Sequence, residues 1–246
     1  MGILNLHLDK AVYTVFDFET TGMSYNFGDK IVEAAFVRFS LTDGIIDEFT
    51  TLIDPRIDIP YSASMVHGIY DKDVKGAPSF GNFVHNILNI IDNTILVGHN
   101  VYFDLSFLKG EMSQFGIELK SPYMCTMGFP GFYGGKSKQK LGVSCAENQI
   151  SLTNAHTALA DTKATTELLR AYILIAKQKG LHTFSDLKKT KKSYKFISSW
   201  NDELFSYKNC STNFPKGISY CRQLTHLGRM KKTSEKIEQK NQSILF

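Results

Sequence analysis

Residues 11–19, Ala-Val-Tyr-Thr-Val-Phe-Asp-Phe-Glu, are dominated by β-branched and aromatic side chains until two acids interrupt them. Such a run belongs inside a sheet, and the same bias returns over residues 31–39 and 45–53. Thr42-Asp43-Gly44 supplies turn chemistry between the last two, so the spacing predicts a three-strand meander. Side chains alternate along a strand, which puts Asp17 and Glu19 on one face. Two carboxylates there repel unless something cationic lies between them, and Mg²⁺ or Mn²⁺ prefers such oxygen ligands. The same pair also occurs at strand ends that merely face water, so the rest of the chain decides.

Helical spacing of apolar residues marks 62–68 as a short helix and 78–91 as a longer one, with a buried strand at 94–98 and another helix at 104–114. Residues 128–140, rich in glycine and ending in three lysines, read as a mobile loop near a polyanion. From 157 to 179, Leu159, Ala164, Leu168, Tyr172 and Ile175 form one stripe, and Gly180 is a suitable stop. The compact domain is expected over residues 1–180, with 188–192 as a lysine-rich linker into a basic tail, 181–246, that is partly ordered or flexible.

Charge supports that division. Residues 1–180 hold 15 Lys and Arg against 19 Asp and Glu, whereas residues 181–246 hold 13 against 5. The formal charge of +4 therefore comes from the tail. No apolar run approaches the roughly 18 to 20 residues that span a bilayer, and the first residues lack a basic signal-peptide start. A cytoplasmic protein with no membrane partner is expected. Cys125, Cys145, Cys210 and Cys221 show no paired spacing, so free thiols are expected, and Cys210, Cys221 and His226 do not make a structural zinc site.

Three stretches carry chemistry. Asp17 and Glu19 run into Thr20-Thr21-Gly22, where Gly22 can bring backbone close to a ligand and the hydroxyls can hold a sugar or phosphate. Asp104 closes the segment Val97-Gly98-His99-Asn100-Val101-Tyr102-Phe103-Asp104, directly after a buried strand. Asp161 falls on the first turns of a helix, and His156 lies five residues earlier, free to face the same cleft. Taken singly, Asp104 and Asp161 fit first-turn acids favoured by the helix dipole, and His156 fits a cap. Together, in this order, they specify a site.

On these residues the chain resembles the DnaQ-like 3′→5′ exonucleases, the DEDD group whose last motif carries histidine. Asp17-Phe18-Glu19-Thr20-Thr21-Gly22 is similar to the first motif, Asn100-Val101-Tyr102-Phe103-Asp104 to the second and His156-Thr157-Ala158-Leu159-Ala160-Asp161 to the third. Val66-His67-Gly68-Ile69 matches a segment that lines the family's nucleotide pocket. The resemblance covers about residues 10–178. Cys125-Thr126 departs from the Asp-Thr of many members without touching a catalytic position.

The resemblance implies an α/β, ribonuclease-H-like fold: a mixed five-stranded sheet flanked by helices. It also implies two Mg²⁺ or Mn²⁺ ions roughly 3.5–4 Å apart, one activating water and one stabilising the leaving oxygen. In that scheme Asp17 bridges both ions, Glu19 and Asp161 hold the one carrying water, Asp104 supports the other, and His156 is the general base. Thr20, Thr21, Gly22, Met23, His67 and Asn100 would bind substrate, with Met23 wedged under the terminal base. The implied activity removes nucleoside 5′-monophosphates from a single-stranded 3′ end of DNA, in proofreading or repair, much as the epsilon subunits of bacterial DNA polymerase III do. Two other readings stay open: trimming of RNA, which shares the same phosphodiester chemistry, and a non-catalytic adaptor to a polymerase or clamp. The complete set of four acids and a histidine argues against the adaptor.

The chain ends Gln242-Ser243-Ile244-Leu245-Phe246, which resembles the Gln-x-x-Leu-Phe peptide that binds bacterial sliding clamps. Gln242 would hydrogen-bond at a pocket rim, and Leu245 and Phe246 would fill an apolar cleft.

Overall fold

The protein is described by a computed structural model covering residues 2–191, 194–201 and 203–207. In chain order the elements are β1 (Val12–Thr20), β2 (Ile31–Ser40), β3 (Gly44–Leu52), α1 (Tyr61–His67), α2 (Asp71–Val74), α3 (Val84–Ile91), β4 (Ile95–Gly98), α4 (Tyr102–Ser113), β5 (Tyr123–Cys125), α5 (Leu141–Glu147), α6 (Ala158–Gln178) and α7 (Phe184–Thr190). Five strands form one sheet in the order β3-β2-β1-β4-β5. The meander pairs antiparallel as expected, and β4 and β5 are added parallel to β1. This is the mixed five-stranded α/β architecture that the family resemblance implies.

The strands differ as their sequences do. β1 and β2 are apolar on both faces and lie at the centre, with Tyr13, Val15, Phe16, Val32, Phe36 and Val37 buried. β3 carries polar residues and forms an exposed edge. Helices cover both faces. The Thr14 hydroxyl on one face of β1 donates to the Ile90 carbonyl of α3, while α6 packs across β1 and β2 on the other, the face of Asp17 and Glu19.

Two expectations are corrected. Only the end of the 128–140 segment is loop-like: Phe129–Tyr133 forms a 3₁₀ turn with Phe129, Pro130 and Phe132 buried, and Phe129 stacks on Tyr172 of α6 at 5.9 Å. Gly131 leaves room for a neighbour there, since a Cβ would stand 2.1 Å from the Tyr194 hydroxyl. The compact unit also runs past Gly180. Thr183 and Asp186 form a capping box that starts α7, so Lys188, Lys189 and Thr190 end a helix rather than open a linker. Phe184, Leu187, Phe196, Trp200 and Tyr207 are all buried. Trp200 donates from its indole to the Tyr123 carbonyl at 3.0 Å and packs edge-on against Phe184. Gln242, Leu245 and Phe246 lie outside the described residues.

Candidate active site

The site forms where the sheet runs out. β4 pairs with β1 at Tyr13, Thr14 and Val15, so β1 projects beyond its parallel neighbour. The chain leaves β4, turns through Asn100 in the left-handed region (φ 71°), and enters α4. Asp104, on the first turn and only 3% exposed, accepts from the Phe18 amide at 3.1 Å. A carboxylate thus completes the backbone pairing that β4 does not reach, and it does so between Asp17 and Glu19.

Asp161 arrives on α6, on the same face as Asp17 and Glu19. Thr157 caps that helix by accepting from the Ala160 amide. The carboxylate of Asp161 turns back to accept from the His156 amide at 3.3 Å through Oδ2, while its buried Oδ1 has no hydrogen-bond partner among the described residues. One oxygen from each of Asp17, Glu19 and Asp161 lies within 4.8 Å of the others. Asp104 stands outside this trio, yet it is the charge that acts most strongly on Asp17.

The electrostatics are those of like charges held together. Burial pushes Asp17 well above the usual carboxylate range, and Asp104, Glu19, Asp161 and Glu33 add repulsion in that order. Glu19 is raised to about 8, by burial first and then by Asp161, Glu33 and Asp104. Burial also raises Asp104 to about 8, against the amides of Phe18 and Asp104 itself. Asp161 is raised by burial, opposed by the His156 amide and imidazole. An acidic cluster with an orphaned buried oxygen fits a hard divalent cation, which would satisfy that oxygen and offset the repulsion.

His156 is exposed and holds a left-handed backbone (φ 68°) at the mouth of this cluster. His67, at the end of α1, is buried; its Nδ1 accepts from the Ile69 amide at 3.0 Å, so its proton sits on Nε2. Burial lowers its pKa, and the nearby Thr20 backbone acts in the other direction. Met23 is 81% exposed beside this region in sequence. The two threonine hydroxyls have local work: Thr20 donates to the Gly22 carbonyl, while Thr21 donates to Asp29 and accepts from the Lys30 amide. Gly22 leaves room for the same aspartate, because a Cβ would stand 2.3 Å from Asp29 Oδ1. Asn100 is exposed, and its carbonyl accepts from the Phe103 amide.

Two residues near the site have no role in the motif pattern. Glu33 on β2 is directly opposite Glu19 in the β1–β2 ladder, and its carboxylate accepts from the Ala158 amide at 2.9 Å. Burial raises its pKa, with Asp161 adding to the effect and the Ala158 amide opposing it. The sequence signal is a lone acid inside the apolar run Ile31-Val32-Glu33-Ala34-Ala35. His99 joins Thr126 through Nδ1 and the Gln139 carbonyl through Nε2, both at 2.9 Å, tying the end of β4 to the segment after β5.

Known proteins resemble this chain in sequence and in fold. The RNase_T exonuclease family model matches residues 14–169. A PolC-type DNA polymerase III of Clostridium perfringens is 38% identical over 160 residues, covering 64% of this chain and 11% of the polymerase. A DNA polymerase III subunit epsilon-like protein of Rhodobacter capsulatus is 33% identical over 186 residues, covering 72% of this chain and 26% of that protein. The chain thus spans a small part of these relatives. Among solved structures, Escherichia coli exonuclease I with a dT13 oligonucleotide superposes with a TM-score of 0.59 at 18% identity, over 70% of this chain and 42% of that one. Exonuclease X with 5′-overhanging duplex DNA gives 0.54 at 21% identity, over 73% and 99%. These likenesses show the shared fold. Matched across most of its sheet and helices, the chain belongs to the DnaQ-like exonuclease family.

Proposed function

We propose that the protein is a metal-dependent 3′→5′ exonuclease that hydrolyses the terminal phosphodiester of DNA and releases nucleoside 5′-monophosphates, in proofreading or repair. The observation that carries this reading is the convergence of Asp17, Glu19 and Asp161 within 4.8 Å, with Asp104 beside them on the Phe18 amide. Its DNA substrate is supported by relatives that are DNA polymerase III proteins.

Asp17, Glu19 and Asp161 would hold divalent Mg²⁺ or Mn²⁺, with Asp104 supporting a second ion. When bound, such ions supply an activated water and charge stabilisation for the leaving oxygen. The protein's own groups do the rest. The exposed imidazole of His156 accepts the proton of the attacking water as the general base. Its backbone amide holds the Asp161 carboxylate, so base and ligand are linked. Met23 and His67 flank the terminal nucleotide, with Met23 under the last base; Thr20, Thr21 and Gly22 shape the loop beside it, and the exposed Asn100 contributes from the turn after β4. The Gln242, Leu245 and Phe246 terminus would tether the enzyme to a sliding clamp and so to its polymerase.

The deciding experiment incubates the full chain with 3′- or 5′-labelled single- and double-stranded DNA and matched RNA, with chelator, Mg²⁺ or Mn²⁺. Stepwise loss from DNA 3′ ends that needs the metal is expected. Degradation confined to RNA, or activity that persists in chelator, would defeat the proposal. Removing residues 242–246 is expected to abolish binding to the cognate clamp while leaving hydrolysis intact.

A further inference from the structure

Glu33 adds a fifth acid to a site already crowded with four. Like charges directly opposite on an antiparallel pair are unfavourable, and Glu33 faces Glu19 in that way. What it receives in exchange is the Ala158 amide, at 2.9 Å. Ala158 is the first residue of α6, and its N–H is one of those that a helix leaves without an internal partner. A carboxylate there makes a charge-assisted bond at the positive end of the helix.

The position of that amide matters. Ala158 lies two residues after His156 and three before Asp161, inside the ring closed by the His156 amide and the Asp161 carboxylate. Asn154 and His156 both hold left-handed backbones (φ 58° and 68°), conformations that persist where surrounding structure enforces them. The approach to the helix is exposed from Thr153 to His156. Glu33 joins this segment to β2, and the β1–β2 ladder joins Glu33 to Glu19.

We propose that Glu33 is a positioning residue: its hydrogen bond to Ala158 fixes the start of α6, and with it His156 and Asp161, at the working distance from Glu19. This rests on the nuclease reading above. Glu33→Ala should lower kcat about 10–100-fold with little change in KM for a single-stranded oligonucleotide, the size of effect expected for a group that orients a metal ligand. The same variant should weaken Mn²⁺ binding in calorimetry without DNA and speed hydrogen exchange at the Ala158 amide. Glu33→Gln keeps an oxygen in place for that amide and should restore all three properties.

Wild-type kcat in Glu33→Ala, or a folded Glu33→Gln as impaired as the alanine variant, would overturn the proposal; the second result would show that negative charge is what counts. If Glu33→Ala does not fold, Glu33→Gln alone decides, with wild-type kcat and Ala158 protection supporting the assignment and loss of either overturning it. If the wild-type chain cleaves nothing, the nuclease reading fails by itself. Exchange at Ala158 and Mn²⁺ affinity in the two variants would still decide the role of Glu33.

Discussion

At the start of α6, Asp161 faces Asp17, Glu19 and Glu33, and each of these four carboxyls is held above its usual range. At the last turn of the same helix, Lys177 donates to Asp9, and that hydrogen bond holds the Asp9 carboxyl below its usual range. One helix thus carries an acid that folding penalises and a base that folding rewards. The basic end follows the ordinary preference of a helix C-terminus for cations. The acidic end collects far more negative charge than a helix N-terminus needs, which is the arrangement expected where a cation is to be captured.

The contrast is broken most severely at its centre. Asp17→Asn should reduce hydrolysis of labelled DNA below detection while the melting temperature in chelator stays level or rises, because a repelling charge is gone. Added Mn²⁺ should raise the melting temperature of the wild type and leave the variant unmoved, since ligand stabilisation requires binding to the folded state. An active Asp17→Asn would remove the basis for the metal assignment. His156→Ala comes next, with a loss of about 10²–10⁴ in turnover for a general base. Retained turnover would assign His156 to loop geometry alone.

A third prediction concerns pH. Glu19 and Asp104 titrate near 8 in the folded chain, above the ordinary values of 4.5 and 3.8. The folded state therefore holds more protons than the unfolded state between about pH 4 and 8, so stability in chelator should fall across that window and level off above it. Saturating Mg²⁺ should flatten the decline, and a melting temperature that rises from pH 5 to 8 in chelator would contradict this account. Asp9 has the opposite sign: its contribution is present above its unfolded pKa and fades as pH drops through the lowered folded value. The smallest effect belongs to Lys177→Ala, which should cost less than about 1 kcal/mol by denaturant titration and diminish further in high salt.

Much of this was legible because strands and short motifs write themselves locally. The β1–β3 meander follows from β-branched runs and one turn, and Asp17, Glu19, Asp104 and Asp161 each sit where their local pattern places them, at a strand end or a helix first turn. Partnership across elements was not legible. Glu33 acts through its register opposite Glu19 and through an amide far along the chain, and neither is encoded in neighbouring residues. The Thr183 and Asp186 box that begins α7 was present in the sequence, but the lysines after it masked a helix end as a linker. Phe129 and Phe132 were hidden for a related reason: glycines around them signal a loop, whereas here Gly131 admits a neighbouring side chain into a tight contact.

The segment beyond Gly180 has a practical consequence at the far rim of the sheet. Ser199 accepts from the Tyr123 amide and Trp200 donates to the Tyr123 carbonyl, so among the described residues the outer side of β5 is covered by side chains instead of another strand. A polypeptide shortened to Gly180 would keep all four acids and His156, yet it would present a naked β ribbon beside unshielded Phe132. Such rims recruit copies of themselves, so the shortened protein is expected to be lost to self-association before its chemistry could be measured.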